Sequence, residues 1–134
     1  MDPRDVRVLQ ERAVTKAALG DHEGGLADVS TAVQIDPNNA NSLFRRGTIL
    51  CMLERLEAGL TDLDKANELR PYHAYTLVWR GYVKSDQEDW AGAIADFDEA
   101  ERYDSLGELS LMLRALAKGK LRMQGQANEG KVSD

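Results

Sequence analysis

The chain has 134 residues, of which 43% are hydrophobic and 30% are charged, and its net charge at pH 7 is −6. This length suits one domain with its own core, and the acidic balance argues against a nucleic-acid backbone as the main partner, because such binding draws on clustered Lys and Arg. No apolar run approaches the roughly 18 residues that span a bilayer, the N-terminus lacks the apolar centre of a signal peptide, and Cys51 stands alone. We therefore expect a soluble, cytoplasmic protein without a membrane partner.

One pattern occurs three times along the chain. It reads LADVSTAVQIDPNN at 26–39, LTDLDKANELRPYH at 60–73 and IADFDEAERYDSLG at 94–107, which sets a period of 34 residues. Small residues keep the same period in three sets, namely Ala13, Gly47 and Gly81, then Gly25, Gly59 and Ala93, then Ala32, Ala66 and Ala100. Small side chains at fixed offsets indicate places where two helices approach too closely for a longer side chain.

Each repeat is predicted to form two helices joined by a turn, because its apolar residues recur every three or four positions. Asp2 and Pro3 are typical of the start of a first helix, and Gly20 with Asp21 indicates the turn after it. Asn38 and Asn39 can cap the third helix, and Pro71 separates the second repeat from the third.

This pattern resembles the tetratricopeptide repeat, a 34-residue helical hairpin. The resemblance covers residues 6–107 and rests on the period, the small residues and the closing DP of IDPNN. It implies an all-α fold, a right-handed superhelix of three antiparallel helix-turn-helix repeats at about 6–39, 40–73 and 74–107. Lys16 and Lys84 stand where the family usually has an aromatic or apolar residue, and Ser105 replaces the expected Pro.

After residue 107 the pattern changes. Ser105 and Glu108 have the spacing of a capping box, and the apolar residues Leu109, Met112, Leu113 and Leu116 follow at helical spacing. We therefore predict a seventh, capping helix at about 106–118, which closes a domain spanning 1–118. Residues 119–134 have little apolar content, and we expect them to fray or to be disordered.

Two charged ladders share the 34-residue period. Arg12, Arg46 and Arg80 form one, and Asp28, Asp62 and Asp96 form the other. The Arg row could be an anion-binding strip, but the equally regular Asp row offers each Arg a partner. We favour structural ion pairs.

The sequence predicts neither a catalytic site nor a metal or cofactor site. An enzyme needs polar groups that converge at one place, and His22 and His73 fall in different turns without a Cys or carboxylate at metal-ligand spacing. Cys51 has no His near it in the sequence and is interpreted as a small apolar filler, although it could face a groove.

In the tetratricopeptide family the first helix of each hairpin lines a concave groove that takes extended peptides or partner helices. The resemblance therefore implies a groove lined by Gln10, Val14, Phe44, Arg45, Thr48, Cys51, Tyr75, Val78, Trp79, Tyr82 and Ser85. Four of these, Tyr75, Val78, Trp79 and Tyr82, share one helix face. These rings could bind a ligand, pack internally or join two copies of the chain.

Many three-repeat members of the family are co-chaperones that grip the C-terminal carboxylate of heat-shock chaperones with Lys, Asn and Arg. The aligned residues here are Gln10, Val14, Arg45, Tyr75 and Trp79, and none of them matches. We therefore predict a non-catalytic protein-interaction adaptor without this dicarboxylate clamp, which binds a more apolar peptide or partner helix. The alternative is an assembly unit, for example a homodimer, that self-associates through the aromatic face of the third repeat or the capping helix.

Overall fold

The computed structural model describes Asp2 and residues 4–132. Within these residues there are seven helices and no strand, so the all-α prediction is confirmed. The helices are α1 (Val6–Ala18), α2 (His22–Ile35), α3 (Ala40–Met52), α4 (Leu56–Leu69), α5 (Ala74–Asp86), α6 (Trp90–Glu101) and α7 (Glu108–Val132). They group into two compact units, divided between Pro71 and Tyr72.

The first unit contains two antiparallel hairpins, α1–α2 and α3–α4, and α3 packs against both α1 and α2. Its core consists of apolar residues that repeat 34 apart, and the small residues lie at the helix crossings. Ala13, Val29 and Ile49 form one cluster of this core. Leu9 and Leu43 are equivalent positions of the two hairpins, and both are buried.

The hairpin turns share one backbone arrangement. In the first, the N–H of Asp21 donates to the carbonyl of Lys16 at 2.8 Å, and Gly20 has a φ of 92°. This is the left-handed helix ending that favours glycine. The same 6→1 bond recurs in the other two turns, where Glu54 and Glu88 take the positive φ. The turn predicted at Gly20 and Asp21 is therefore confirmed and repeats with the period.

Local signals explain where most helices begin. The side chains of Asp21 and Asn39 accept from the backbone N–H of Gly24 and Ser42, which caps α2 and α3. The start predicted at Asp2 is wrong, since α1 begins at Val6 and Asp5 is its N-cap. Pro3, the other half of that prediction, lies outside the described residues.

The second unit contains the third hairpin, α5–α6, and α7, which packs against both of its helices. Gly81 allows the close approach of α6, because a Cβ at this position would stand 2.9 Å from the ring of Phe97. Arg114 of α7 donates to Asp98 of α6 at 2.9 Å and also pairs with Glu101. The seventh helix therefore covers the third hairpin through both packing and ion pairs.

Three details of α7 differ from the prediction. It begins at Glu108, so Ser105 is not its N-cap, and the helix continues to Val132 instead of ending near residue 118. Residues 119–132 contain no proline, and their Lys, Leu, Arg, Met, Gln and Ala, which favour a helix, outnumber their three glycines. The packed face is also not the predicted one, since Leu109, Met112 and Leu116 are exposed.

Candidate functional site

The first helices of the two hairpins in the first unit enclose a groove. Two clefts form it, one of about 410 Å³ and one of about 180 Å³. The larger is lined by Arg7, Gln10, Glu11, Val14, Thr15, Asn41 and Arg45, and the smaller by Val14, Ala17, Ala18, Arg45, Thr48, Ile49 and Met52. Because Val14 and Arg45 line both clefts, we treat them as one α1–α3 groove. Four predicted lining residues, Gln10, Val14, Arg45 and Thr48, lie on it.

One end of the groove is polar and held rigidly. The amide nitrogen of Gln10 donates to Ser42 Oγ at 2.7 Å and to Asn39 Oδ1 at 3.1 Å, while its oxygen accepts from Asn41 Nδ2 at 3.1 Å. Such a network satisfies both ends of the amide. Gln10 therefore shapes the floor of the groove and has little capacity left for a ligand.

The other end is apolar with a cationic edge. Val14, Ile49 and Met52 supply apolar walls, and the Arg45 guanidinium lies over the Phe44 ring, 5.3 Å from its centroid. Among the residues that the structure describes, no carboxylate pairs with Arg45. A cation next to an apolar wall can bind an acidic group together with a neighbouring apolar side chain.

A second arginine strengthens this positive charge within the first unit. Arg70 is the C-cap of α4, and its Nε and Nη2 atoms are buried without a hydrogen-bond partner in the described part of the chain. Burial, together with the charge of Arg45, lowers the pKa of the Arg70 guanidinium. The sequence carried a signal for this residue, because the repeat places Asp36 and Asp104 at the equivalent positions, yet Arg70 was not predicted.

Two predicted lining residues of α3 do not open onto the groove. Cys51 is buried, and its Sγ lies 2.8 Å from the position that a Cβ on Gly59 of α4 would take. Burial, with the charges of Asp62 and Glu54, raises the pKa of this thiol to about 11. Phe44 is also buried, beneath Arg45. The assignment of Phe44 and Cys51 to the groove is therefore wrong. Each precedes a residue that does line the groove, Arg45 or Met52, and one position along a helix turns the side chain by about 100°.

The residues of α5 that were predicted to line the groove differ in how far they are exposed. Tyr75 is 62% exposed, whereas Val78, Trp79 and Tyr82 are half-buried. The rings of Trp79 and Tyr82 meet edge to face, with centroids 6.0 Å apart, which is a favourable aromatic geometry. Ser85 is buried and offers no surface to a ligand, so its assignment to the groove is wrong.

The charged ladders are structural, as predicted. In each hairpin the Arg of the first helix donates two bonds to the Asp of the second, at distances between 2.7 and 2.9 Å. The unexpected Lys16 and Lys84 join this arrangement, since their Nζ atoms lie 3.0 and 3.1 Å from Asp28 and Asp96. A Lys is accommodated there because its Asp is a buried anion that a second cation stabilises.

No group of three or more His, Cys, Asp or Glu side chains in the described residues could hold a metal ion. The two histidines lie at helix starts, where Nδ1 of His73 is 2.7 Å from Thr76 Oγ1 and His22 opens α2. None of the described helices is both long and apolar enough to cross a membrane.

Solved structures of other proteins share this arrangement of helices. The first tetratricopeptide domain of Spaghetti (RPAP3), bound to the HSP90 peptide SRMEEVD, matches with a TM-score of 0.83, 15% identity and coverage of 91% of this chain and 97% of that one. The tetratricopeptide domain of Sgt2 from Aspergillus fumigatus matches with a TM-score of 0.82 and 15% identity, over 90% of this chain and 82% of that one. The TPR2B domain of yeast Sti1 in complex with pHsp70 matches with a TM-score of 0.79 and 16% identity, over 86% of this chain and 97% of that one. The chain has the tetratricopeptide repeat fold. No family model and no curated protein matches its sequence.

The tetratricopeptide fold explains why the described groove lies on α1 and α3. In each hairpin the second helix carries the Asp of the ion pair and packs its small residues against the first helix. The opposite face of the first helix is left to line a surface. At identities of 14–18%, the likeness to these structures concerns the fold and not the ligand.

Proposed function

We propose that the chain is a non-catalytic protein-interaction module that binds an extended or helical segment of a partner protein. The α1–α3 groove supports this proposal most directly, because it combines a fixed polar floor, an apolar wall and an arginine without a carboxylate partner in the described chain. Within the second unit, Tyr75 is exposed and the other rings of α5 are half-buried, so this unit has an aromatic contact surface of its own.

The chemistry of the groove favours a segment that carries an acidic residue next to an apolar one. Arg45 would pair with the acidic group, and Val14 and Met52 would contact the apolar side chain. The buried Arg70 adds positive charge to the same unit, in a chain whose net charge is −6. An acidic group would offset the repulsion between these two arginines.

Two similar structures contain chaperone ligands, the HSP90 peptide on Spaghetti and pHsp70 on Sti1. We propose a comparable mode of binding for this chain, with other contacts. The five clamp positions hold Gln10, Val14, Arg45, Tyr75 and Trp79, of which Arg45 alone is cationic. We therefore propose an acidic and apolar internal segment as the ligand, and not a terminal carboxylate held by a dicarboxylate clamp.

A displayed library of random peptides, selected on the unmodified chain, tests this proposal. We expect the enriched sequences to combine Asp or Glu with a large apolar residue, and their affinity, measured by fluorescence anisotropy, to fall at least tenfold in Arg45→Gln and in Val14→Asp. Arg122→Gln is the matched control, because it removes the same charge from an exposed site on α7. Failure to enrich any sequence, or equal loss in the control, would overturn the proposal.

The second candidate function is assembly of several copies of the chain. The aromatic face of α5 is half-buried apart from Tyr75, whereas α7 exposes several large apolar residues, so the structure favours α7 as the surface for self-association.

A further inference from the structure

The helix α7 has two faces with different surroundings. Ser110 and Ala117 are buried and Leu113 and Arg114 are half-buried, so this face contacts the third hairpin. Large apolar residues occupy another face at helical spacing and remain exposed. These are Leu109 (68%), Met112 (68%), Leu116 (52%) and Met123 (64%), which we call the α7 stripe.

The stripe extends into a part of α7 in which every residue is exposed. With 25 residues, α7 is about 37 Å long, whereas the 12 residues of α6 span about 18 Å. All residues from 120 to 130 are exposed. A helical segment of this length is marginal in water unless tertiary packing stabilises it. Burial of the stripe against another molecule would supply that packing.

Charge is distributed unevenly along the same region. Asp104 precedes α7 and Glu108 is its first residue, whereas Lys118, Lys120 and Arg122 follow Leu116, the central residue of the stripe. None of these three cations has an ionic partner among the described residues. This helix therefore has an acidic start and a basic stretch that follows Leu116.

We propose that α7 pairs antiparallel with α7 of a second copy of the chain, with the two Leu116 side chains at the centre. Leu109 and Met123 each lie seven residues from Leu116, so antiparallel pairing brings Leu109 of one copy against Met123 of the partner subunit. Lys120 and Arg122 of each helix then lie towards the acidic start of the other helix. Parallel pairing would place like charges together, which disfavours it. The α1–α3 groove takes no part in this pairing.

Solution mass tests the pairing. We expect sedimentation equilibrium to show a monomer–dimer equilibrium for the full chain. Leu116→Asp should raise the dissociation constant of the dimer at least tenfold. The matched control is Leu111→Asp, because Leu111 is exposed on the same helix but lies outside the stripe. Circular dichroism of each variant verifies that the helices remain. A monomer at every concentration of the unmodified chain, or equal dissociation in the control, would overturn the proposal.

Disulfide trapping tests the direction of the helices. Chains carrying Leu109→Cys are mixed with chains carrying Met123→Cys and oxidised, and a tag on one of them identifies the mixed product. Antiparallel pairing predicts predominantly mixed dimers, and it predicts that Leu116→Cys links to itself. The natural Cys51 is buried, so the unmodified chain is the control for its oxidation. Predominant self-linking of Leu109→Cys and of Met123→Cys, or the absence of any cross-link, would contradict the antiparallel pair.

Discussion

The first and second hairpins have the same turn backbone but different turn side chains. Gly20 takes the positive φ in the first turn and Glu54 in the second, at 92° and 61°. Asp21 caps α2 with its carboxylate, whereas the equivalent Arg55 makes no capping bond to α4. The common backbone shows that helix packing holds the second turn in place without the residues that favour it locally.

The two hairpins also differ in the support of their ion pair. Asp28 accepts from Arg12 and also has Lys16 at 3.0 Å. Among the described residues Asp62 has Arg46 as its only cation, because Leu50 stands where the first hairpin has Lys16. The first hairpin therefore has a redundant contact that the second lacks, and each difference between them can be tested separately.

Overpacking at the small-residue crossing should have the largest effect. A Cβ on Gly25 would stand 2.7 Å from the backbone oxygen of Ala13, and a backbone atom cannot rotate away. We expect Gly25→Leu to lower the free energy of unfolding by about 3 kcal/mol, measured by urea denaturation. Ala27→Leu is the control, since Ala27 lies on the exposed face of the same helix. An equal loss in both variants would contradict the close crossing.

Removal of the ion-pairing arginine should lower the free energy of unfolding by different amounts in the two hairpins. Arg46→Ala leaves Asp62, which is 5% exposed, without a cation, and we expect a loss of about 1–3 kcal/mol in the free energy of unfolding. Arg12→Ala leaves Lys16 on Asp28, and the Arg12 side chain is 50% exposed, so this variant should lose less stability than Arg46→Ala. Equal losses would show that Lys16 does not compensate.

A double-mutant cycle sharpens this comparison. In a Lys16→Leu background the first hairpin has the composition of the second, and Arg12→Ala should then cost as much as Arg46→Ala. The two changes in the first hairpin should therefore be non-additive by at least about 0.5 kcal/mol. Strict additivity would mean that the two cations act on Asp28 independently.

The repeat explains which predictions from the sequence succeed. The hairpins, their turns and the Arg–Asp pairs were predictable, because three equivalent copies fix the same offset. Arg70 could have been found by the same comparison, since it breaks a row of Asp. The side-chain direction of Cys51 could not, because neighbouring positions on α3 are apolar on several sides and the packing against Gly59 decides it.

For α7 there is no second copy along the chain to set the helix face. Its apolar residues occur on more than one side, and the sequence favoured Leu109, Met112 and Leu116 as the packed side. In the structure Arg114 pairs with Asp98 and Glu101, and Ala117 is fully buried. A small residue and a long ion-pairing residue thus direct the packed face, and hydrophobicity alone does not reveal this.

Improvement of the second turn should give a smaller, opposite effect. Arg55→Asp introduces the cap that Asp21 provides in the first hairpin, and Glu54→Gly removes the cost of a positive φ. We expect each to raise the free energy of unfolding by about 0.5–1 kcal/mol, read from the denaturation midpoint. Loss of the Arg55–Glu23 pair should subtract little, because both side chains are about half exposed or more. A decrease in stability would mean that this surface pair outweighs the cap.

The smallest expected effect is on the loss of stability at low pH. The hydrogen bond from Arg12, with further help from Lys16, lowers the pKa of the Asp28 carboxyl below its ordinary value. Its contribution is therefore complete above the unfolded pKa, near 4, and is lost as the pH falls through the lower pKa of the folded state. We expect Lys16→Leu to raise that folded pKa and to reduce the loss of stability between about pH 5 and pH 2 by 1 kcal/mol or less. Denaturation curves across this range would measure the difference, and an unchanged slope would assign the lowered pKa to Arg12 alone, making Lys16 a surface residue that happens to lie nearby.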